Sequence, residues 1–363
     1  MNNMTSRERW LSALRCEPID RLPFWPKLDS AYVPYQAEPF RSMSIDELHR
    51  WIGSDQHVGV HSCIKTIRKK TAIRNSRTNG TMTTTYETPI GTLTAVNKFD
   101  EVSHSWHPIE FPIKRREDIK IMGLIFSDAT DEFDPAQLEQ SISIKSKVGE
   151  DAITATGIGT SPLMDWLQHL AGIENGHYML NDYRDAVESL FDEMHKTLCR
   201  RSEIIADKSP ADIIYSIENT STTLISPNMY RRYCHKHLMD YAKIITSYDK
   251  FHILHQCGHL KKLLPDIAEL PSTGIEAFTS PPVGNTTMKD GRDAFSVKCL
   301  IGGTNAYLWT RSEGEIINQI RHDLDELPHH RGIVLTSGGV MPPLCKPETI
   351  KNVAEFIGNY ATK

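Results

Sequence analysis

From about residue 150 onward the chain alternates between short β-rich runs and longer amphipathic stretches. No other feature limits its fold as strongly. The short runs cover 153–159, 213–218, 252–257, 275–278, 299–303 and 333–336. The longer stretches cover 182–206, 227–246, 258–269, 312–325 and 347–360. Strands that alternate with helices imply a parallel sheet. Six such strands, with room upstream for more, favour a closed (β/α)8 barrel over an open sheet, and 363 residues suffice for one as a single domain over 1–363. Upstream, Thr5 and Glu8 have capping-box spacing before Trp10, Leu11 and Leu14, predicting a helix that ends near Cys16. Ser44 and Glu47 repeat the signature. Residues 81–96 are rich in Thr, Tyr and Val and are broken by Pro89-Ile90-Gly91, so they read as a β-hairpin. The expected architecture is an α/β barrel whose first 100 residues form a helical and hairpin extension.

Composition removes several classes. Lys and Arg number 41 against 46 Asp and Glu, a net charge of −5, with no extended basic tract for a nucleic-acid platform. Lys65 to Arg77 carries six basic residues and no acid; such a run is normally a solvated face. No stretch approaches 18 apolar residues, so no membrane span is expected. The opening Met1 to Glu8 lacks the apolar region of a signal peptide. Seven scattered cysteines read as free thiols, and the expected location is the cytoplasm.

The polar residues gather where a barrel puts its chemistry. Each run ends in a small or polar group: Gly159-Thr160-Ser161, Glu218-Asn219, His255-Gln256-Cys257-Gly258, Glu276, Gly303-Thr304-Asn305 and Ser337-Gly338-Gly339. In a barrel these ends converge on one face. His255 and Cys257 are two apart, so on a strand they share a face, and an imidazole nitrogen with a sulfur suits Zn²⁺. The plainer alternative makes Cys257 a small core residue and His255 a satisfied polar one. Glu218 and Glu276 close the neighbouring runs. Either could complete a metal site or act as general acid and base, or merely cap a helix or pair with an arginine. Gly338 and Gly339 could cradle an anion or only form a tight turn. Trp166 and His169 either line the pocket or pack in the core. His329 and His330 precede the last strand and are given no role. Nucleotide and serine-hydrolase motifs are absent.

Several segments carry a resemblance: Thr5 to Leu14, Pro18 to Pro23, Thr88 to Leu93, Ile225 to Tyr230, Leu254 to Gly258, Pro281 to Asn285 and Gly338 to Pro343. Together they resemble the uroporphyrinogen decarboxylase superfamily, which implies a (β/α)8 barrel. The superfamily contains cofactor-free decarboxylases and zinc methyltransferases that work with a corrinoid protein. The decarboxylases carry an arginine-rich R-Q-A-G-R-Y-like segment after the first helix. Here that region reads Phe24 to Tyr32 without paired arginines, which weighs against porphyrinogen. His255 and Cys257 match the methyltransferases' H-x-C. Those enzymes take a further Cys from the end of the last strand, a position that falls on Gly339; Cys345 lies six residues later. A carboxylate such as Glu218 would then replace the thiolate, leaving the zinc harder and better suited to an ether oxygen.

The expected protein is therefore a zinc methyltransferase moving a methyl group between a small methylated compound and a partner's corrinoid. The resemblance implies His255, Cys257 and Glu218 as metal ligands. Glu276 or His259 is the proton carrier, and Trp166, Asn305, Gly338 and Gly339 are substrate contacts. No D-x-H-x-x-G corrinoid motif is present, so a partner must bring the cobalt. The alternatives are a metal-free decarboxylase using Glu218 or His255 and a non-catalytic partner barrel.

Overall fold

The computed structural model describes residues 3–29, 31–101 and 104–363, so Met1, Asn2 and Ser30, which entered the N-terminal readings, lie outside it. Among these residues eight parallel strands form the central sheet. We number them β1 (Phe24–Trp25), β2 (Gln56–Gly59), β3 (Ala152–Gly159), β4 (Ile213–Ile217), β5 (Phe251–His255), β6 (Gly274–Phe278), β7 (Cys299–Gly302) and β8 (Ile333–Thr336). Pairing runs β1-β8-β7-β6-β5-β4-β3-β2, so chain order is preserved around a (β/α)8 barrel. The last six strands fall on the predicted runs. The first two lie inside the region expected to be an extension, because two and four residues are too short to show a period.

One buried acid joins β1 to β2. The Asp55 N–H donates to the Phe24 carbonyl at 2.7 Å. Its carboxylate accepts from the Phe24 N–H at 3.0 Å. Arg21 reaches both carboxylate oxygens, at 2.8 and 3.0 Å, and Arg9 completes the cluster. A charge this deeply buried is tolerable only when it is paired and hydrogen-bonded on every side.

The barrel interior follows from the two-residue period of a strand. Ile213, Tyr215, Ile253, Cys299, Ile301 and Val334 point inward and pack with Trp10, Ala13 and Leu14 of the first helix, Ser6–Leu14, which plugs the barrel. The opposite parity (Ile214, Leu254, Ile275, Leu300, Ile333) faces the surrounding helices. Each fully buried side chain of this kind contributes roughly 1.5–3 kcal/mol relative to exposure.

Differences from the expected elements have local causes. The first helix stops at Leu14 and Cys16 takes φ 56°. The 81–96 hairpin is the middle of a four-stranded antiparallel sheet spanning residues 72–110. The stretch at 258–269 is helical only over Leu264–Ala268. Before it, His259 is tied to the preceding βα loop, donating to Ser221 Oγ at 3.1 Å and accepting from the Thr222 N–H at 3.0 Å. The basic run is dispersed over sheet edges: Arg74 pairs with Glu87, and Arg77 lies 4.8 Å from the Trp106 ring. No helix among the described residues is long and apolar enough to cross a membrane.

Candidate active site

Parity and register assemble the site. His255 ends β5 on the same face as Ile253, and Glu276 on β6 shares the face of Gly274. The β5–β6 register sets His255 directly beside Glu276. Both therefore point into the barrel at its C-terminal end, where His255 Nδ1 contacts Glu276 Oε2. The other Glu276 oxygen accepts from Lys27 Nζ at 2.5 Å. Lys27 lies two residues beyond β1, at φ 39°, and its ammonium also sits 5.3 Å from the Trp25 ring. Burial alone would raise the Glu276 carboxyl. Lys27 and His255 outweigh that and hold it well below the usual carboxylate range. Burial likewise pulls His255 down, but its hydrogen bonds to Cys257 and Glu276 win, and its pKa rises.

Cys257 lies past the strand end, yet the alternation persists: Gln256 is fully buried, while Cys257 turns back to His255 and meets Asn219 Oδ1 at 3.5 Å. Gly258 makes this return possible. It adopts φ +89°, and a Cβ there would stand 2.9 Å from Ser221 Oγ.

Glu218 follows β4 and its N–H donates to the His255 carbonyl at 2.9 Å. Its carboxylate turns the other way, accepting from the Ser161 N–H at 2.9 Å and the Ser161 hydroxyl at 2.6 Å. Complete burial, with Asp165 nearby, raises this carboxyl to about 7 against the opposing Ser161 bonds. The carboxylate that the fold sets against His255 is thus Glu276, and Glu218 is held on the β3 side.

The remaining expected residues are dispersed. The His259 imidazole has no hydrogen-bond or ion-pair partner among the described residues. Trp166 is fully buried and its indole N–H donates to the Gly176 carbonyl at 3.0 Å, so packing accounts for it. Asn305 braces two loops: its amide donates to Ser280 Oγ and the Pro281 carbonyl, both at 2.9 Å, and its oxygen accepts from the Leu308 N–H at 3.0 Å. It lines an outer cleft of about 770 Å³ with Tyr307, Arg311 and His322. Gly338 takes φ +78° with its N–H donated to Thr336 Oγ1 at 3.0 Å, so the turn uses a donor that an anion cradle would need. Gly339 has open space where a side chain would stand. Cys345 is buried in the core formed with the surrounding helices, its thiol pushed up to about 12 by burial.

In donor type, His255 and Cys257 fit a zinc site, and a carboxylate on the second imidazole nitrogen is the usual support of a metal-bound histidine. Among the described residues no three His, Cys, Asp or Glu side chains stand as a preassembled metal group, so a third protein ligand requires a side chain to turn. Sequence reasoning gave no role to Lys27, and it named Asn219 only as a polar strand end. Lys27 was in view within the 24–32 segment, but only the place of β1 beside β8 brings it to the mouth.

The chain belongs to the uroporphyrinogen decarboxylase (URO-D) family, whose model matches residues 126–360. No curated protein matches it by sequence. Among solved structures it is similar to a methyltransferase from Methanosarcina mazei over 98% of both chains, with TM-score 0.62 and 15% identity, a likeness of fold. A Listeria monocytogenes protein described as a Vitamin-B12 independent methionine synthase aligns more loosely, over 62% of this chain and 69% of that one, at 12% identity and TM-score 0.42.

Proposed function

We propose that this barrel is a zinc-dependent methyltransferase that moves a methyl group between a small methyl ether and the corrinoid of a separate protein. The observation that carries the reading is the inward-facing pair His255 and Cys257, with Glu276 fixed on the histidine at the barrel mouth. His255 and Cys257 would hold the ion. Glu276, held by His255 and Lys27, would support the histidine from its far nitrogen, and Ser161 occupies the Glu218 carboxylate, so a third protein ligand would need a carboxylate to turn. Bound there, zinc supplies a Lewis acid for an ether oxygen.

The chain's own residues do the rest. Glu276 keeps the imidazole oriented, leaving Nε2 toward the mouth. Lys27 balances the charge of Glu276, so the site stays electropositive toward oxygen. Asn219 Oδ1 accepts from the Cys257 thiol and so places the sulfur before zinc would take the place of its proton. In the transfer the methyl–oxygen bond of the ether would break as the methyl group goes to the partner's Co(I) corrinoid, and the oxygen left behind would take one proton from water at the mouth to become a hydroxyl.

Metal analysis tests this directly. About one zinc per chain is expected in the native protein, lost in Cys257→Ala, reduced in Glu276→Gln and retained in Glu218→Gln. Reduced corrinoid protein plus a panel of methyl ethers should then yield methyl-Co(III). Carefully handled protein without zinc would sink the reading and return Glu218 and His255 to a metal-free decarboxylase. Replacement of both His255 and Cys257 without loss of function would leave only a partner barrel.

A further inference from the structure

The Cys257 sulfur ends a chain of side-chain amides. Its thiol donates to Asn219 Oδ1 at 3.5 Å, Asn219 Nδ2 donates to Gln168 Oε1 at 2.9 Å, and Gln168 Nε2 reaches the Glu218 carbonyl at 3.5 Å. Neither amide gets there by regular backbone. Asn219 follows β4 in the left-handed region, at φ 49°, a conformation that asparagine tolerates better than most residues. Its N–H donates to the His255 carbonyl at 3.1 Å, which fastens it to the strand that carries the site. Gln168 projects from a π-helical turn, Trp166–Leu170, that follows β3; such turns are rare and gather at functional sites. Both side chains are half-buried.

A primary amide has a donor end and an acceptor end, and its neighbours decide which end faces where. With Nδ2 taken by Gln168, Asn219 must show its oxygen to Cys257. That suits a thiol, which gives a proton. It does not suit a zinc-bound sulfur, because the metal takes the thiolate, and a thiolate only accepts. Oδ1 would then face a negative sulfur, lone pair against lone pair. A half turn of the Asn219 amide removes the conflict: Nδ2 comes to the sulfur as a charge-assisted donor, and Oδ1 goes to Gln168. Gln168 has to answer with Nε2. What it gives up is the 3.5 Å bond to Glu218, the weaker of its two, and its half-buried side chain lets water take the released oxygen. The bond between the two amides survives with its direction reversed.

We infer that Asn219 and Gln168 are positioning residues for Cys257, their two amides turning together when zinc binds so that an N–H supports the thiolate. The inference rests on the reading of Cys257 as a zinc ligand. A hydrogen bond to the sulfur draws charge from it and leaves the metal more electrophilic, the property an ether oxygen requires.

Zinc affinity by chelator competition, and the spectrum of Co²⁺ placed in the zinc site, test this without turnover. Gln168→Glu keeps the shape but as a carboxylate only accepts, so it holds Nδ2 and locks the Asn219 oxygen on the sulfur. Zinc affinity should fall about tenfold or more, although a negative charge added near a cation would by itself raise it. Gln168→Met leaves the Asn219 amide free to turn alone and should bind zinc more tightly than Gln168→Glu does. A role in packing alone predicts the opposite order, because Glu preserves the present bond to Asn219 and Met removes it. The thiolate-to-Co²⁺ charge-transfer band should move to longer wavelength in Gln168→Glu, whose sulfur lacks a donor, and stay near its native place in Gln168→Met. Melting in chelator, where the turn plays no part, checks that both variants are folded. Native affinity with an unmoved band in Gln168→Glu, or a greater loss in Gln168→Met, would overturn the inference and leave the zinc reading standing. A native chain with no such band, or one whose band survives Cys257→Ala, would overturn both.

Discussion

The Lys27–Glu276 pair can be tested on the metal-free protein, independently of any activity. Glu276 has 3% of its side chain exposed and Lys27 14%, and Nζ lies 2.5 Å from Oε1. Glu276→Gln keeps the shape and removes the charge. His255 answers by giving up its proton, but Lys27 is left as a largely buried cation facing an amide. Breaking one side of a buried pair costs about 3–5 kcal/mol. At roughly 2 °C per kcal/mol for a chain of this size, Tm should fall by about 6–10 °C. Lys27→Met added to Glu276→Gln removes the stranded charge, because replacing a buried pair by apolar groups is often close to neutral. The double variant should therefore recover at least half the loss. Urea unfolding and calorimetry, both in chelator, read the three variants against the native chain. A Glu276→Gln protein that melts within about one degree of native would refute the argument. So would single losses that simply add in the double variant.

Two further outcomes follow from local geometry. His252 is fully buried between Ser216 Oγ at 2.9 Å and Ser272 Oγ at 3.0 Å, and burial pushes its pKa from 6.5 down to about 3. Its contribution to stability is complete above pH 6.5. It is lost as pH falls from 6.5 toward 3, by about 1.4 kcal/mol per unit, because only the unfolded chain takes the proton. His49, His57 and His237 are lowered by burial in the same way, so urea midpoints between pH 7.5 and 5 should show a steeper total slope, of which His252→Asn removes about 1.4 kcal/mol per unit; an unchanged slope would refute the share given to His252. Gly258→Ala forces a Cβ into φ +89° and to 2.9 Å from Ser221 Oγ. It should cost about 1–3 kcal/mol and, by moving Cys257, weaken zinc binding in a chelator competition. Native zinc affinity in this variant would mean that the Gly258 turn does not set the sulfur.

Much of the barrel was legible before any coordinate. The six later strands announced themselves because each is a run of buried apolar residues and most are followed by an amphipathic stretch, although the helix Met288–Ala294 after β6 was not among the expected stretches. β1 and β2 did not, since two and four residues carry no measurable period and are strands only because Asp55 and the neighbouring ladders hold them. The stretch after Gly258 also misled. Its apolar spacing is helical, but its first residues are captured by Ser221 and Thr222 across the loop.

The site divides along the same line. Residue types and their two-residue spacing were enough to single out His255 and Cys257, because a strand must turn both the same way. Which carboxylate joins them was beyond reach of the sequence: Glu218 and Glu276 both close neighbouring strands, and both are chemically able. Inter-strand register put Glu276 on His255, while Ser161, 57 residues from Glu218 in sequence, drew Glu218 aside. Lys27, 249 residues from Glu276, meets it only because the barrel closes β1 onto β8. Local periodicity is written in consecutive residues and can be read there. Pairing between distant ends depends on closure of the whole sheet, and only the tertiary structure decides it.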